Sequence, residues 1–240
     1  MKELKQLVHT IRPVKTKFNL IRIGGANDGG YLVPNDLSDI TACFSPGVAD
    51  TATFEEDLQV CGIGSHLADA SVDGPPKGIT PLSFTKKFLG GINDEINMTL
   101  DRWLLKEKCN TSKDLILQMD IEGAEYVTIV ATPTPTLMRF RIIVLEVHNA
   151  HAWFNPISWD IVNTFFKKLT SHHHVVHIHP NNNCSFFSVD NFLVPDTFEI
   201  TLLRKDRSEA LGYVESFPHP LDAPNVLDKP DRSLPEGWYK

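Results

Sequence analysis

Residues 114–125 read Asp-Leu-Ile-Leu-Gln-Met-Asp-Ile-Glu-Gly-Ala-Glu, and no other segment limits the possible folds so strongly. Leu115, Ile116, Leu117 and Met119 form an apolar run of strand length with bulky residues on both faces. Such a run suits a strand covered on both sides, as in a parallel sheet. Asp120 arrives where the run ends, and Tyr126 and the residues after it can form the next helix. In open α/β sheets, ligands bind just beyond the carboxyl ends of the strands. Asp120 and Glu122 are therefore candidate functional carboxylates. A plainer role is open to Glu122 and Glu125, since acids favour a helix N-terminus. That explanation suits Asp120 less well, because an uncompensated charge at a buried strand end is costly.

The rest of the chain repeats the strand–helix alternation. Leu4, Leu7, Val8 and Ile11 mark a short amphipathic helix stopped by Pro13. Residues 20–34 place two short apolar runs around a Gly/Asn/Asp cluster, a hairpin-like signal. There, Gly24, Gly25, Gly29 and Gly30 either make an ordinary turn or let the backbone approach a ligand beside Asp28. Residues 40–44 are the expected first sheet strand, Gly47 lies in the turn after it, and residues 51–60 a helix capped by Thr53. Glu55, Glu56 and Asp57 make that helix N-terminus better suited to a cationic or zwitterionic ligand than to a phosphate. Residues 64–69 read as a strand ending in Asp69, roughly twenty residues past Gly47, the offset of a ribose-binding acid in βαβ nucleotide sites. Asp69 could also merely open the following loop.

Further on, residues 84–98 read as strand–turn–strand through Gly90 and Gly91, followed by a helix capped by Thr99 and a polar loop over residues 106–113. Pro133 and Pro135 end the helix that follows Glu125. A buried strand from Arg139 ends in Glu146, His148 and Asn149, and residues 158–169 form an amphipathic helix. Residues 172–174 are expected in a solvated turn. The next strand puts His177 and His179 on one face and runs into Asn181 and Asn182. Residues 192–195 and 198–203 are expected to pair as antiparallel strands. The pattern predicts one doubly wound α/β domain over residues 1–205. A proline-rich tail, residues 206–240, is expected to lie on the domain or be partly disordered.

Composition narrows the function. A chain of 240 residues with 42% hydrophobic residues suits a single domain. A net charge of -7 and a pI near 5.8, with no polybasic run, argue against nucleic acid as main partner. Cys43, Cys61, Cys109 and Cys184 are scattered, without a CxxC pair, and are expected to be reduced, buried thiols. No apolar leader or membrane-length stretch is visible, so a cytoplasmic location is expected. The oligomeric state is not readable.

Several segments together resemble one family. Asp120-Ile-Glu-Gly-Ala-Glu, preceded by Leu-Gln-Met, is similar to the signature of FkbM-type methyltransferases. Arg22-Ile-Gly-Gly-Ala-Asn-Asp-Gly-Gly-Tyr-Leu, Thr53-Phe-Glu-Glu-Asp-Leu, Glu146-Val-His148 and His177-Ile-His179-Pro-Asn-Asn resemble its sugar-modifying branch, over roughly residues 20–205. The resemblance implies a Rossmann-like class I methyltransferase fold with a seven-stranded, mostly parallel sheet and helices on both faces. It implies S-adenosylmethionine as cofactor and O-methylation of a hydroxyl on a sugar, sugar nucleotide or glycan. The chain departs from the usual first motif, because Phe44-Ser-Pro-Gly-Val has one glycine and no acid.

Methyl transfer requires in-line alignment and removal of a hydroxyl proton, so a base or a metal is wanted. The expected catalytic residues are Asp120, His148 and His179, with His148 as base oriented by Asp120. A divalent cation on Asp120 and His148 is an open alternative. Gly47, Val48, Asp69 and Asp120 are expected at the cofactor, with Asp28 or Glu55 receiving its ammonium group. Glu122, His177, Asn181 and Asn182 are expected at the acceptor, where side-chain amides both donate to and accept from hydroxyls. Two other functions remain open from sequence: a binding protein on a degenerate methyltransferase fold, and a metal-dependent hydrolase using Asp120, His148 and His177.

Overall fold

The computed structural model describes residues 2–109 and 112–240. Residues 110 and 111, in the middle of the expected polar loop over 106–113, lie outside the described residues. The elements, in chain order, are helix α1 (Lys2–Thr10), strands β1 (Leu20–Ile23), β2 (Tyr31–Pro34) and β3 (Ile40–Pro46), and helix α2 (Thr53–Val60). Next come β4 (Gly64–Ala68), β5 (Ser83–Thr85), β6 (Phe88–Leu89), β7 (Asn97–Met98), α3 (Leu100–Glu107) and β8 (Asp114–Met119). They are followed by α4 (Glu125–Ala131), α5 (Thr134–Leu137), β9 (Phe140–Val147), α6 (Pro156–His172), β10 (His173–Pro180), β11 (Phe186–Val189), β12 (Phe192–Pro195) and β13 (Phe198–Arg204).

Seven strands form the central sheet in the order β10-β13-β9-β8-β3-β4-β5. All neighbours pair in parallel except around β13, which is antiparallel to both β9 and β10. This is the Rossmann-like, mostly parallel sheet of the methyltransferase expectation. Strand β8 shows why it is buried on both sides. Leu115, Leu117 and Met119 join a core with Leu7, Trp103, Ile129 and Phe165, from α1, α3, α4 and α6. Ile116 points the other way, to a smaller core with Tyr31 and Val33 of the β1–β2 hairpin and Phe54 and Leu58 of α2. The strand order turns back between β3 and β8, so a crevice opens beyond their carboxyl ends.

Arginine–carboxylate pairs gather at one edge of the sheet. At the amino edge, Arg141 donates to Asp114 (2.8 Å), and Arg204 donates to Asp114 (2.7 Å). Arg207 donates to Asp36 at the same edge (2.8 Å). The carboxyl edge carries the acids described below. Among the described residues, no helix is long and apolar enough to cross a membrane.

Several local expectations change. Residues 192–195 pair with β11, and β13 enters the central sheet instead. Residues 84–98 do not form a simple hairpin: β5 extends the main sheet, while β6 and β7 make a two-residue parallel pairing. Thr53 is the first helical residue rather than the cap; its hydroxyl donates to Gly29 O (3.2 Å) and accepts from Gly25 N–H (3.2 Å), pinning the hairpin loop. Thr99 precedes α3 without capping it through its side chain. Helix α4 ends at Ala131, and Pro135 lies within the separate short helix α5. His173 is buried on β10 against Phe140 O (2.8 Å), so that turn is not solvated. All four cysteines are free, but only Cys43 is buried. The tail packs on the domain through Leu234, Trp238 and Tyr239.

Candidate active site

Strands β3 and β8 touch at their carboxyl ends. Gly47 has φ +84°, and a Cβ built there would overlap the carbonyl oxygen of Asp120. The single glycine of Phe44-Ser-Pro-Gly-Val thus serves a close approach of two strand ends, and one glycine suffices for it. A cavity of about 670 Å³ opens here. Its wall includes Asp28, Gly47, Val48, Glu55, Asp69, Asp120 and Glu122, seven of the residues expected at a ligand.

Asp69, at the end of β4, is 5% exposed. Its carboxylate accepts from the backbone N–H of Ala49 (3.0 Å) and of Ser71 (2.8 Å) and from the Ser71 hydroxyl (2.6 Å). These bonds lock the loop after β3 to the loop after β4. Glu55 lies on the floor and is hydrogen-bonded to the Ser45 hydroxyl, which also lies 2.7 Å from Gln118 Oε1. Burial raises the Glu55 pKa. A protonated Glu55 satisfies this chain: it donates to Ser45, Ser45 donates to Gln118, and the Gln118 amide donates to Tyr31 Oη (3.3 Å). Asp28 sits on the hairpin loop, its carboxylate accepting from Gly29 N–H (3.0 Å).

Asp120 and His148 come together. His148 Nε2 lies 3.6 Å from Asp120 Oδ1, 3.5 Å from Glu122 Oε2 and 3.9 Å from Glu146 Oε2. Its Nδ1 lies 3.1 Å from the fully buried Glu125, so Nδ1–H donates and Nε2 is left facing the acids. Glu125 Oε1 also accepts from Ile121 N–H (2.9 Å), which fixes the turn between Asp120 and α4. One donor atom each from Asp120, Glu146 and His148 lies within 4.8 Å of the others, a spacing that can hold a metal ion. Asp120 Oδ1 is buried with no hydrogen-bond partner, as a donor awaiting a cation would be.

Electrostatics follow from this crowding. Burial lifts the Asp120 pKa, and repulsion from Glu122 and Asp28 adds to it, against a hydrogen bond with Glu146 and the charge of His148. The Glu146 pKa is raised too, through burial and then the charge of Asp120. For His148, burial favours the neutral ring, but Glu125, Asp120 and Glu122 outweigh it and raise the pKa.

The remaining expected residues lie elsewhere. His177 Nε2 pairs with Asp222 (2.8 Å), and His179 Nε2 pairs with Asp231 (2.9 Å) while its Nδ1 faces Glu199 (3.5 Å). Asn182 donates to the carbonyls of Val226 (2.9 Å) and Lys229 (3.1 Å). All three are nearly inaccessible and hold the tail. Asn181 stays beside the acids, donating to Glu146 (2.6 Å). Sequence reasoning passed over Glu146, Glu125 and Tyr31 as site residues. Glu146 carried a signal, being an acid at a buried strand end two residues before His148.

No curated protein matches the chain. The family model described as methyltransferase FkbM domain matches residues 4–178, from α1 into β10. That match covers well over half of the sequence, so the chain belongs to the FkbM methyltransferase domain family and is a methyltransferase.

Proposed function

We propose that the chain is an S-adenosylmethionine-dependent O-methyltransferase acting on a hydroxyl of a sugar or glycan. The observation that carries this reading is the adjacency of the switch-point cavity to the Asp120/Glu146/His148 cluster. Asp69 lines the cavity just after β4, the place of a ribose-binding acid in such folds, and its two oxygens also accept from Ala49 and Ser71. The loop after Gly47 lies across the same space. Asp28 and Glu122 line it and suit the positive charge of the cofactor's sulfonium and ammonium groups.

For proton removal, the geometry favours a divalent cation over His148 acting alone. The acids around His148 raise its pKa, which disfavours the ring as an unassisted base. One imidazole with two carboxylates suits Mn²⁺ better than the all-oxygen-seeking Mg²⁺. Asp120, Glu146 and His148 would hold the ion, with Glu125 orienting His148 and Asn181 orienting Glu146. When bound, such an ion lowers the pKa of a nearby hydroxyl. The chain's own residues then keep the acceptor oxygen beside the cavity and exclude water.

Titration calorimetry with S-adenosylmethionine tests this reading. It predicts one-to-one binding that Asp69→Ala weakens at least about tenfold. No heat at millimolar cofactor would remove it.

A further inference from the structure

The tail holds the hairpin loop that borders the cavity. Asp28 N–H donates to Asn225 O (3.1 Å). Arg22, which donates to Gly25 O (2.7 Å) and Gly30 O (3.0 Å), also reaches Leu221 O (3.5 Å). Asn225 is 5% exposed, and its side-chain amide donates to Glu199 Oε1 (2.8 Å). Hydrogen bonding from the Asn225 side chain also favours the ionised form of the Asp28 carboxyl. Glu199 is itself fixed: it is buried, stands opposite Glu146 of β9, and lies 3.5 Å from His179 Nδ1. One tail residue thus joins a cavity-lining carboxylate to a carboxylate inside the sheet. Asn225 lies beyond residues 4–178, the stretch matched to the family.

Most acids of the cavity wall are already engaged. Asp69 accepts from Ala49 and Ser71, and Glu55 is hydrogen-bonded to Ser45. Asp120 and Glu122 face His148. Asp28 is left as the acid for a cationic group. The geometry points to Asn225 as a positioning residue for the cofactor: from the tail, it sets the Asp28 carboxylate where it receives the ammonium group of S-adenosylmethionine. This rests on the cofactor reading above and assigns Asn225 no contact with the cofactor itself. A carboxylate fixed before the ligand arrives loses less freedom on binding, so the brace adds affinity at the amino-acid end alone.

The test compares two ligands of the full chain by calorimetry. S-Adenosylhomocysteine carries the amino-acid end, whereas 5′-methylthioadenosine keeps the adenine, ribose and sulfur without it. Asn225→Ala should weaken S-adenosylhomocysteine at least about tenfold and leave 5′-methylthioadenosine within about twofold. Asp28→Asn should show the same selectivity, and the double variant should bind little worse than either single one. Should Asn225→Ala not fold, Asn225→Ser replaces it and should give the same selective loss. Equal weakening of both ligands overturns the inference, because a merely structural residue would act on both. Unchanged S-adenosylhomocysteine affinity, or losses that add fully in the double variant, also overturn it. If the unaltered chain binds neither ligand, the cofactor reading itself fails and the inference falls with it.

Discussion

Glu125, with no exposed surface, lies 3.1 Å from Nδ1 of His148, and this contact decides which nitrogen of the ring is left for chemistry. It holds the proton on Nδ1 and turns Nε2 toward Asp120, Glu122 and Glu146. A histidine oriented by a buried carboxylate is the usual arrangement behind a metal ligand. Glu125→Gln keeps the size of the side chain and removes the charge. It should lower cation affinity and turnover by about 10–100-fold while leaving S-adenosylhomocysteine binding within about twofold. Manganese titration followed by paramagnetic resonance, beside calorimetry with S-adenosylhomocysteine, separates the two effects.

Gly47 is the position where the backbone of the site tolerates least. Its φ of +84° and its closeness to the Asp120 carbonyl leave no space for a methyl group. Gly47→Ala should destabilise the chain by at least about 2 kcal/mol, read as a lower denaturant midpoint at unchanged slope. Cofactor affinity should fall with it, since Asp120 must move.

The tail is held by an ion pair whose pH dependence has a definite sign. Burial lowers the His179 pKa, but Glu199, Asp222 and Asp231 overcome this and raise it to about 9. A raised histidine pKa means stability that is fully present below the unfolded value of about 6.5 and lost as pH rises through 9. The loss should be on the order of 1–3 kcal/mol, at the low end if solvent reaches Asp231. Denaturation at steps from pH 6 to 10 measures it, and His179→Gln should flatten the curve over that window.

Asn182 tests the tail from a second side. It is 1% exposed, donates to tail carbonyls and accepts from Val226 N–H (2.9 Å). Asn182→Ala should cost about 2–3 kcal/mol, since it leaves several buried backbone groups unpaired. Hydrogen exchange should show faster exchange at Val226 with little change in β8.

What the sequence made legible was set by local pattern. Strand β8 announced itself through Leu115, Leu117 and Met119, and the hairpin through glycines between two apolar runs. The meeting of Asp120 and His148 was foreseeable because each follows a buried strand, and parallel strands end on one edge. The surroundings of His177 and His179 were not legible, because their partners, Asp222 and Asp231, lie 45 and 52 residues further on. Period-two alternation placed both histidines on one face correctly, with rings stacked 6.5 Å apart, but said nothing about what covers that face. Strand β13 misled for a related reason. Its proximity in sequence to Phe192 suggested a hairpin, whereas seven buried residues in a row belong inside a sheet. Glu55 and Gln118 joined through Ser45 could not be foreseen, since each sits on a different element.

The most direct measurement is a crystal structure of the chain grown with S-adenosylhomocysteine and manganese. The account predicts the ribose against Asp69, the sulfur turned toward Asp120, and an anomalous manganese peak shared by Asp120, Glu146 and His148. A nucleoside bound outside the cavity beyond β3 and β8, or a metal peak remote from those three side chains, would contradict it.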